Sequence, residues 1–119
     1  MDLRGNTLRK DERLSGKKSI ATLLADGRWG VCGCIKYCWL PRTCDAELPS
    51  RLLVSVPKRL FKRAIKRNLL KRRIREAWRI HKPAGIDILL QYNSAEVSGF
   101  QDILTAVSDI VERIAKAQA

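Results

Sequence analysis

The sequence contains few of the side chains from which protein active sites are assembled. Its 119 residues include one histidine, His81, and only twelve aspartates and glutamates against twenty-four lysines and arginines. Five of the acidic residues are scattered through the second half of the chain: Asp87, Glu96, Asp102, Asp109 and Glu112. They form no cluster that would hold the paired metal ions of a protein nuclease, and no nucleophile stands with a base. We therefore expect neither a catalytic residue nor a metal site in this chain.

Long apolar runs and a secretory signal are also missing. No segment reaches the roughly 18 consecutive apolar residues that a membrane-spanning helix needs. Residues 1–13 are polar and mixed in charge, without the apolar stretch of a signal peptide. Hydrophobic residues make up 45% of the chain and charged residues 30%, which is typical of a soluble globular protein. We expect one cytoplasmic domain over residues 1–119, of which residues 1–12 are a flexible end.

Four cysteines lie close together, at Cys32, Cys34, Cys38 and Cys44. Their C-x-C-x3-C-x5-C spacing lacks the paired C-x2-C of most zinc sites, and the only histidine is distant in sequence. A zinc site is one interpretation. The other, which we favour, is that the cysteines are reduced thiols that pack as small apolar residues of a strand.

Positive charge is concentrated in one segment. Residues 57–82 hold twelve of the lysines and arginines and a single acid, Glu76, which is a net +11 out of the +12 of the whole chain. Such a patch attracts polyanions, and neutralising phosphates releases their condensed counterions. Nucleic acid is therefore the predicted partner. An anionic membrane surface is the alternative, but it would need a long apolar face opposite the charges.

Hydrophobic periodicity and chain-breaking residues predict an α+β domain. The predicted elements are a helix over 17–26 with Ser15 as N-cap and Gly27 as its stop, a hairpin of strands 31–40 and 51–56 joined by a polar turn over 42–50, a helix over about 60–81, a strand over 86–92 buried on both sides, and a helix over 99–116. The strand–helix–strand run over 51–92 suggests a βαβ unit.

Alternation along residues 31–40 decides which side chains share a face of that strand. It places Cys32, Cys34 and Cys38 on one face and Tyr37 and Trp39 on the other. The two aromatics either belong to the core or stack nucleic-acid bases on a partly open face of the sheet, because aromatic rings accept any base.

The second half of the basic segment is predicted to be a two-faced helix. At about 100° per residue, one arc carries Asn68, Lys71, Arg72, Arg75 and Arg79. The opposite arc carries Leu70, Ile74, Ala77 and Trp78. We expect the apolar arc to pack on the sheet and the polar arc to present donors suited to phosphate. Residues 58–66 do not share this register, so we expect a loop or an irregular first turn there and no continuous apolar stripe for a membrane.

The run SVPKRLFKRAIKRNLLKRRIREAWR, Ser55 to Arg79, resembles the signature of the bacterial ribonuclease P protein component. The matching features are a strand ending in Ser-Val, a Lys-rich loop, and a helix with Arg67, Asn68, Lys71, Arg72 and Arg75. The opening, Leu8 to Leu14, is similar to the family's start. The resemblance implies a single-domain α/β sandwich with a left-handed βαβ crossover, like a domain of a small-subunit ribosomal protein and of elongation factor G, whereas general rules favour the right-handed form.

The resemblance also implies a division of labour. The RNA subunit of ribonuclease P cleaves precursor tRNA with Mg²⁺, while the protein binds this catalytic RNA and holds the 5′ leader of the precursor in a cleft. From the charged segment and the resemblance, the expected RNA-binding residues are Lys58, Arg59, Lys62, Arg63, Arg67, Asn68, Lys71, Arg72, Arg75 and Arg79. The expected cleft residues are Ile20, Leu24, Ser55 and one or both of Tyr37 and Trp39. No membrane or small-molecule partner is expected.

Two features depart from the family pattern. Leu69 stands where the Arg-Asn-Arg core has its third residue, so one cation is missing, and Arg72 or Arg73 could replace it. The first helix has Ile20 and Leu24 where phenylalanines are usual. Base stacking would then shift to Tyr37 and Trp39.

Two other classes of protein could use the same basic helix. One is a ribosomal or assembly protein, which would not stimulate cleavage of precursor tRNA by a bacterial catalytic RNA. The other is a DNA-binding domain with the helix in a major groove, although the chain lacks helix-turn-helix spacing and its helix is expected to pack on a sheet. Affinities for structured RNA and duplex DNA at matched salt distinguish the DNA-binding class.

Overall fold

The computed structural model of the protein describes residues 14, 16–41, 50–81, 83 and 85–118. Within these residues three helices and four strands follow one another as α1 (Lys17–Asp26), β1 (Arg28–Cys32), β2 (Ile35–Pro41), β3 (Arg51–Ser55), α2 (Ala64–His81), β4 (Ile86–Tyr92) and α3 (Phe100–Gln118). The predicted flexible end at 1–12, the N-cap Ser15, the turn at 42–49 and Cys44 lie outside the described residues.

The four strands form one mixed sheet in the order β1-β2-β4-β3. Strand β4 pairs antiparallel with β2 and parallel with β3, so the predicted βαβ unit of β3, α2 and β4 is confirmed. The predicted hairpin between residues 31–40 and 51–56 is wrong, because β4 lies between β2 and β3. The physical reason is that β4 is apolar almost throughout and is buried along its length, so it takes the central position with a neighbour on each side.

The single strand predicted over residues 31–40 is also wrong, because it contains a tight turn. Strands β1 and β2 pair antiparallel, with Cys32 opposite Ile35 and only Gly33 and Cys34 between them. Gly33 has φ +54°, a left-handed conformation that glycine adopts without strain and that two-residue hairpin turns require. The turn resets the alternation, so Cys32 shares a face with Ile35, Tyr37 and Trp39 rather than with Cys38.

One face of the sheet packs on α2 and α3 and forms the main core; we call it the helical face. Its buried side chains include Trp39 and Tyr92 from the sheet, Trp78 from α2 and Val107 from α3. Each large apolar side chain that is fully buried contributes roughly 1.5–3 kcal/mol. The apolar arc predicted for α2 is confirmed, since Leu70, Ile74, Ala77 and Trp78 are all buried.

The opposite face of the sheet packs on α1, and we call it the α1 face. Leu23 of α1 is buried against Cys38 and Leu89, and Leu14 completes this second cluster. The Cys38 thiol donates a hydrogen bond to the Leu23 carbonyl at 3.3 Å. Helix α1 ends at Gly27 as predicted, where the Gly27 N–H donates to the same carbonyl at 2.8 Å. Val31 and Lys36, which pair near the β1–β2 turn, are exposed, so this end of the α1 face stays accessible.

Candidate nucleic-acid interface

The basic segment begins with a loop rather than a helix. Helix α2 starts at Ala64, which corrects the predicted helix start near residue 60. Of the irregular stretch predicted over residues 58–66, residues 58–63 are confirmed and residues 64–66 belong to the helix. Phe61 explains the difference, because its ring is buried 5.8 Å from the ring of Tyr92 and draws the chain out of helical register. Around this anchor the loop and the first helical turn expose a group of cations: Lys58, Arg59, Lys62, Arg63 and Lys66.

Arg67 holds this loop in place. Its Nη1 donates hydrogen bonds to the carbonyl oxygens of Phe61 and Lys62, both at 2.7 Å. The guanidinium has five N–H donors, so others stay available for an RNA phosphate. The structure therefore gives Arg67, an expected RNA-binding residue, a positioning role for the neighbouring cations as well.

The second half of α2 presents the polar row that periodicity predicted. We use "the α2 row" for Asn68, Lys71, Arg72, Arg75 and Arg79. Asn68, Arg72 and Arg75 are exposed, whereas Lys71 and Arg79 are half-buried at the sides of the row. The eleven steps from Asn68 to Arg79 span about 16 Å at 1.5 Å per residue. The row is fixed in direction because the arc behind it is locked into the core.

The structure distinguishes between the two arginines that could replace the cation missing at Leu69. Arg73 is half-buried, and its Nη1 donates to the Ser98 carbonyl at 2.6 Å. Ser98 is itself tied to Tyr92, whose hydroxyl lies 2.8 Å from the Ser98 hydroxyl. Arg73 therefore joins α2 to the loop before α3. Arg72 is exposed in the α2 row and is the better replacement.

At its accessible end, the α1 face carries a polar row that crosses three strands. Lys36 of β2 pairs with Gln91 of β4, and Gln91 pairs with Ser55 of β3. Lys36 is exposed, and Gln91 and Ser55 are half-buried. Ser55 ends β3 and leads within three residues to Lys58, so this polar row adjoins the basic loop.

Three of the expected cleft residues lie on this side of the molecule. Ser55 belongs to the polar row just described, and Ile20 packs against the cluster beneath α1. Leu24 is 42% exposed on the same helix. The structure thus places Ile20, Leu24 and Ser55 on the same side of the sheet, which a cleft on that side requires.

Tyr37 and Trp39 lie elsewhere. Both are on the helical face, where they are 7% and 4% exposed and belong to the main core. The guanidinium of Arg28 lies 5.4 Å from the Trp39 ring centroid and covers it further. This corrects the expectation that they line one cleft with Ser55, because odd and even positions of β2 point to opposite faces.

Sequence reasoning missed the aromatic residue that does lie on the α1 face. Trp29 of β1 is 48% exposed, and Lys36 Nζ lies 5.1 Å from its ring centroid. The residue was overlooked because residues 28–30 were not assigned to a strand. The available signal was the alternation of Trp29 and Val31 around Gly30, which is opposite Tyr37 in the hairpin and leaves room for its ring.

The described cysteines do not converge on one point. Cys32 is buried in the main core and Cys38 in the cluster under α1, on opposite faces of the sheet. The interpretation that these two thiols share a zinc ion is therefore wrong. Burial raises the pKa of the Cys32 and Cys38 thiols. Among the described residues, no three His, Cys, Asp or Glu side chains lie close enough together to hold a metal ion.

No helix in the described part of the chain is both long and apolar enough to cross a membrane.

The model for the Ribonuclease P family matches residues 8–115. The chain is 37% identical over 82 residues to the ribonuclease P protein component of Porphyromonas gingivalis, a match that covers 69% of this chain and 60% of that protein. It is 41% identical over 49 residues to the component of Ralstonia pickettii, covering 40% and 35% of the two chains.

Solved structures show the same fold. The ribonuclease P protein of Staphylococcus aureus superposes with a TM-score of 0.73 at 24% identity, covering 90% of this chain and 97% of that one. That of Thermotoga maritima gives 0.73 at 24% identity, covering 86% and 96%. The sheet order and helices described above are therefore those of an α+β fold with solved relatives. Since the family model spans nearly all of the sequence, the chain belongs to the Ribonuclease P family.

Proposed function

We propose that this chain is the protein subunit of ribonuclease P and binds its catalytic RNA through the α2 row and the basic loop before it. The observation that carries the proposal is the split of α2 into a core-locked arc and an exposed row of Asn68, Arg72 and Arg75. A fixed row of guanidinium forks suits the phosphates of a folded RNA, because each fork donates two parallel hydrogen bonds. The family assignment favours this function over the ribosomal and DNA-binding alternatives.

The 5′ leader of precursor tRNA is the proposed ligand of the α1 face. The leader is single-stranded, so separate polar and cationic side chains can bind its backbone, and no surface shaped to a regular duplex is needed. Lys36, Gln91 and Ser55 supply such contacts across the sheet end, and Lys58 follows at the end of β3. The two surfaces adjoin at the basic loop, so one protein could hold the catalytic RNA and the leader at once.

The proposed chemistry belongs to the RNA subunit, and the protein assists it. Magnesium ions held by that RNA would activate the attacking water and stabilise charge on the scissile phosphate. The protein's share is to neutralise phosphate repulsion and to position the leader for endonucleolytic removal, which leaves the mature 5′ end of the tRNA. We propose the cytoplasm as the compartment of this activity.

Reconstitution tests the proposed function. The full chain is mixed with a bacterial ribonuclease P RNA at a Mg²⁺ concentration too low for the RNA alone, and cleavage of precursor tRNA is measured. We expect strong stimulation by the wild type and by Lys116→Gln, which removes an exposed cation from the last turn of α3. The double variant Arg72→Gln/Arg75→Gln should stimulate only at a higher protein concentration. An absence of stimulation by the wild type would show that the proposed function is wrong.

A further inference from the structure

Trp29 is exposed to an extent that the other tryptophans are not. It is 48% exposed, whereas Trp39 and Trp78 are 4% and 1% exposed. An exposed indole leaves a large apolar surface in water, and such surfaces commonly mark a place where something binds. The exposure extends along β1, because Val31, the next residue on the same face of the strand, is 49% exposed as well.

Trp29 and Lys36 form an accessible surface on the α1 face, which we call the platform. Its cross-strand partner is Cys38, which lies beneath the end of α1, so the indole stands beside that helix on the α1 face. Lys36 Nζ lies 5.1 Å from the ring centroid over one face of the indole. A cation at that distance is attracted by the ring and also helps to orient it. The polar row of Lys36, Gln91 and Ser55 begins immediately beside this pair.

We propose that Trp29 stacks on one base of the unpaired RNA leader, and that Lys36 holds the phosphate beside that base. The proposal deepens the function proposed above and rests on it. It names an aromatic residue of the outer strand β1 as the stacking group. Because Lys36 lies over one face of the indole, the base would stack on the other. Stacking of this kind accepts any base, so Trp29 would favour unpaired nucleotides without selecting their sequence.

Charge indicates nucleic acid as the occupant of this platform. Lys36 contributes a positive charge at the accessible end of the α1 face. The carboxylate of Asp87, in the next strand but at the other end of this face, is held by Arg51 in two hydrogen bonds of 2.8 and 2.6 Å. The platform thus joins a flat apolar ring to a cation with the basic loop nearby, and this combination binds unpaired nucleotides.

Tryptophan fluorescence of the full chain tests the proposal without any cleavage reaction. The probe is a short single-stranded oligoadenylate, and its control is an abasic ribose-phosphate oligomer of the same length. We expect oligoadenylate to quench the emission component that acrylamide also quenches, and the abasic oligomer to leave it unchanged. Trp29→Phe should lack that component, while the emission of the two buried tryptophans stays. Quenching that persists in Trp29→Phe, or that the abasic oligomer also produces, would overturn the proposal.

Substrate binding by the reconstituted holoenzyme supplies the second readout. Trp29→Ala should weaken binding of precursor tRNA by roughly 5- to 150-fold, the range for loss of one stacked aromatic, and leave binding of leaderless tRNA unchanged. Trp29→Phe should recover most of the loss, and Trp29→Leu, which is apolar but not flat, should recover little. Val97→Ala, a change at a 42% exposed apolar residue outside the sheet, is the matched control.

The outcomes separate this inference from the function on which it rests. If the wild type stimulates cleavage but Trp29→Ala binds leader-containing substrate normally, the inference fails and the proposed function stands. If the wild type does not stimulate cleavage, the proposed function fails, and so does the assignment of the leader. If Trp29→Ala instead shifts the sedimentation of the free protein from dimer to monomer, the indole covers a second copy of this chain and the inference is wrong.

Discussion

Replacing Arg72 and Arg75 by glutamine should flatten the salt dependence of RNA binding. Both side chains are exposed in the α2 row, and Ile74 between them is fully buried. Glutamine keeps the helix propensity of arginine and much of its length, so the change removes charge without disturbing the buried arc. Exposed substitutions of this kind usually alter stability by less than about 0.5 kcal/mol.

The size of the effect follows from counterion release. Each phosphate contact contributes about 0.7 to 0.9 to the slope of log affinity against log salt. Two lost contacts should therefore reduce the slope by about 1.4 to 1.8. Between 50 and 200 mM salt, the ratio of wild-type to variant affinity should shrink by roughly 7- to 12-fold.

Fluorescence anisotropy with a labelled bacterial ribonuclease P RNA, repeated over that range of salt, measures the slope. Lys116→Gln removes one formal positive charge from the end of α3, outside the α2 row, and should leave the slope at its wild-type value. Thermal melts of each variant show whether the fold is kept. An unchanged slope in a folded Arg72→Gln/Arg75→Gln variant would refute the phosphate contacts and, with them, the role given to the α2 row.

Three further predictions follow from contacts outside the α2 row. Arg67→Met removes two hydrogen bonds to loop carbonyls and should lower the free energy of unfolding by about 1–3 kcal/mol in urea denaturation; a wild-type midpoint would contradict its positioning role. Arg51→Met leaves the Asp87 carboxylate without its main partner and should lower the free energy of unfolding by about 1–3 kcal/mol at this partly exposed pair. Arg51→Met/Asp87→Leu should recover most of that loss. An equal loss of stability in the single and the double variant would contradict the account of this ion pair. Cys34 should be alkylated by iodoacetamide at neutral pH well before Cys38, because burial shields the Cys38 thiol and raises its pKa; peptide mapping that finds Cys38 modified first would contradict the packing under α1.

Local periodicity predicted the parts of the fold that depend on one segment. The buried arc of α2, the doubly buried strand β4 and the helix α3 were all correct, because each follows from the pattern of a single helix or strand. The break at Phe61 was also visible as a change of register. These elements fix the α2 row, which is why the basic half of the candidate interface could be predicted.

Pairing between segments could not be predicted in the same way. The residues of β2 and β3 do not themselves indicate that β4 lies between them. The strand order depends on which strand is most apolar and is therefore buried between two neighbours. The turn at Gly33 and Cys34 was missed because apolar residues continue on both sides of it. Because of that error, β1 was not predicted and Trp29 was overlooked. A single unbroken strand also gave no reason to place Trp39 and Ser55 on opposite faces of the sheet.

The central claim is that the α2 row binds the catalytic RNA and the α1 face binds the leader. A comparison of substrate binding tests this claim most directly. Holoenzymes reconstituted with wild type, Lys36→Gln or Arg72→Gln/Arg75→Gln are assayed for assembly with the catalytic RNA and for affinity toward precursor and mature tRNA. We predict that Lys36→Gln leaves assembly unchanged but reduces the preference for precursor. The α2 row variant should weaken assembly and keep that preference once assembled. Equal loss of assembly in both variants, or an unchanged preference in Lys36→Gln, would contradict the claim.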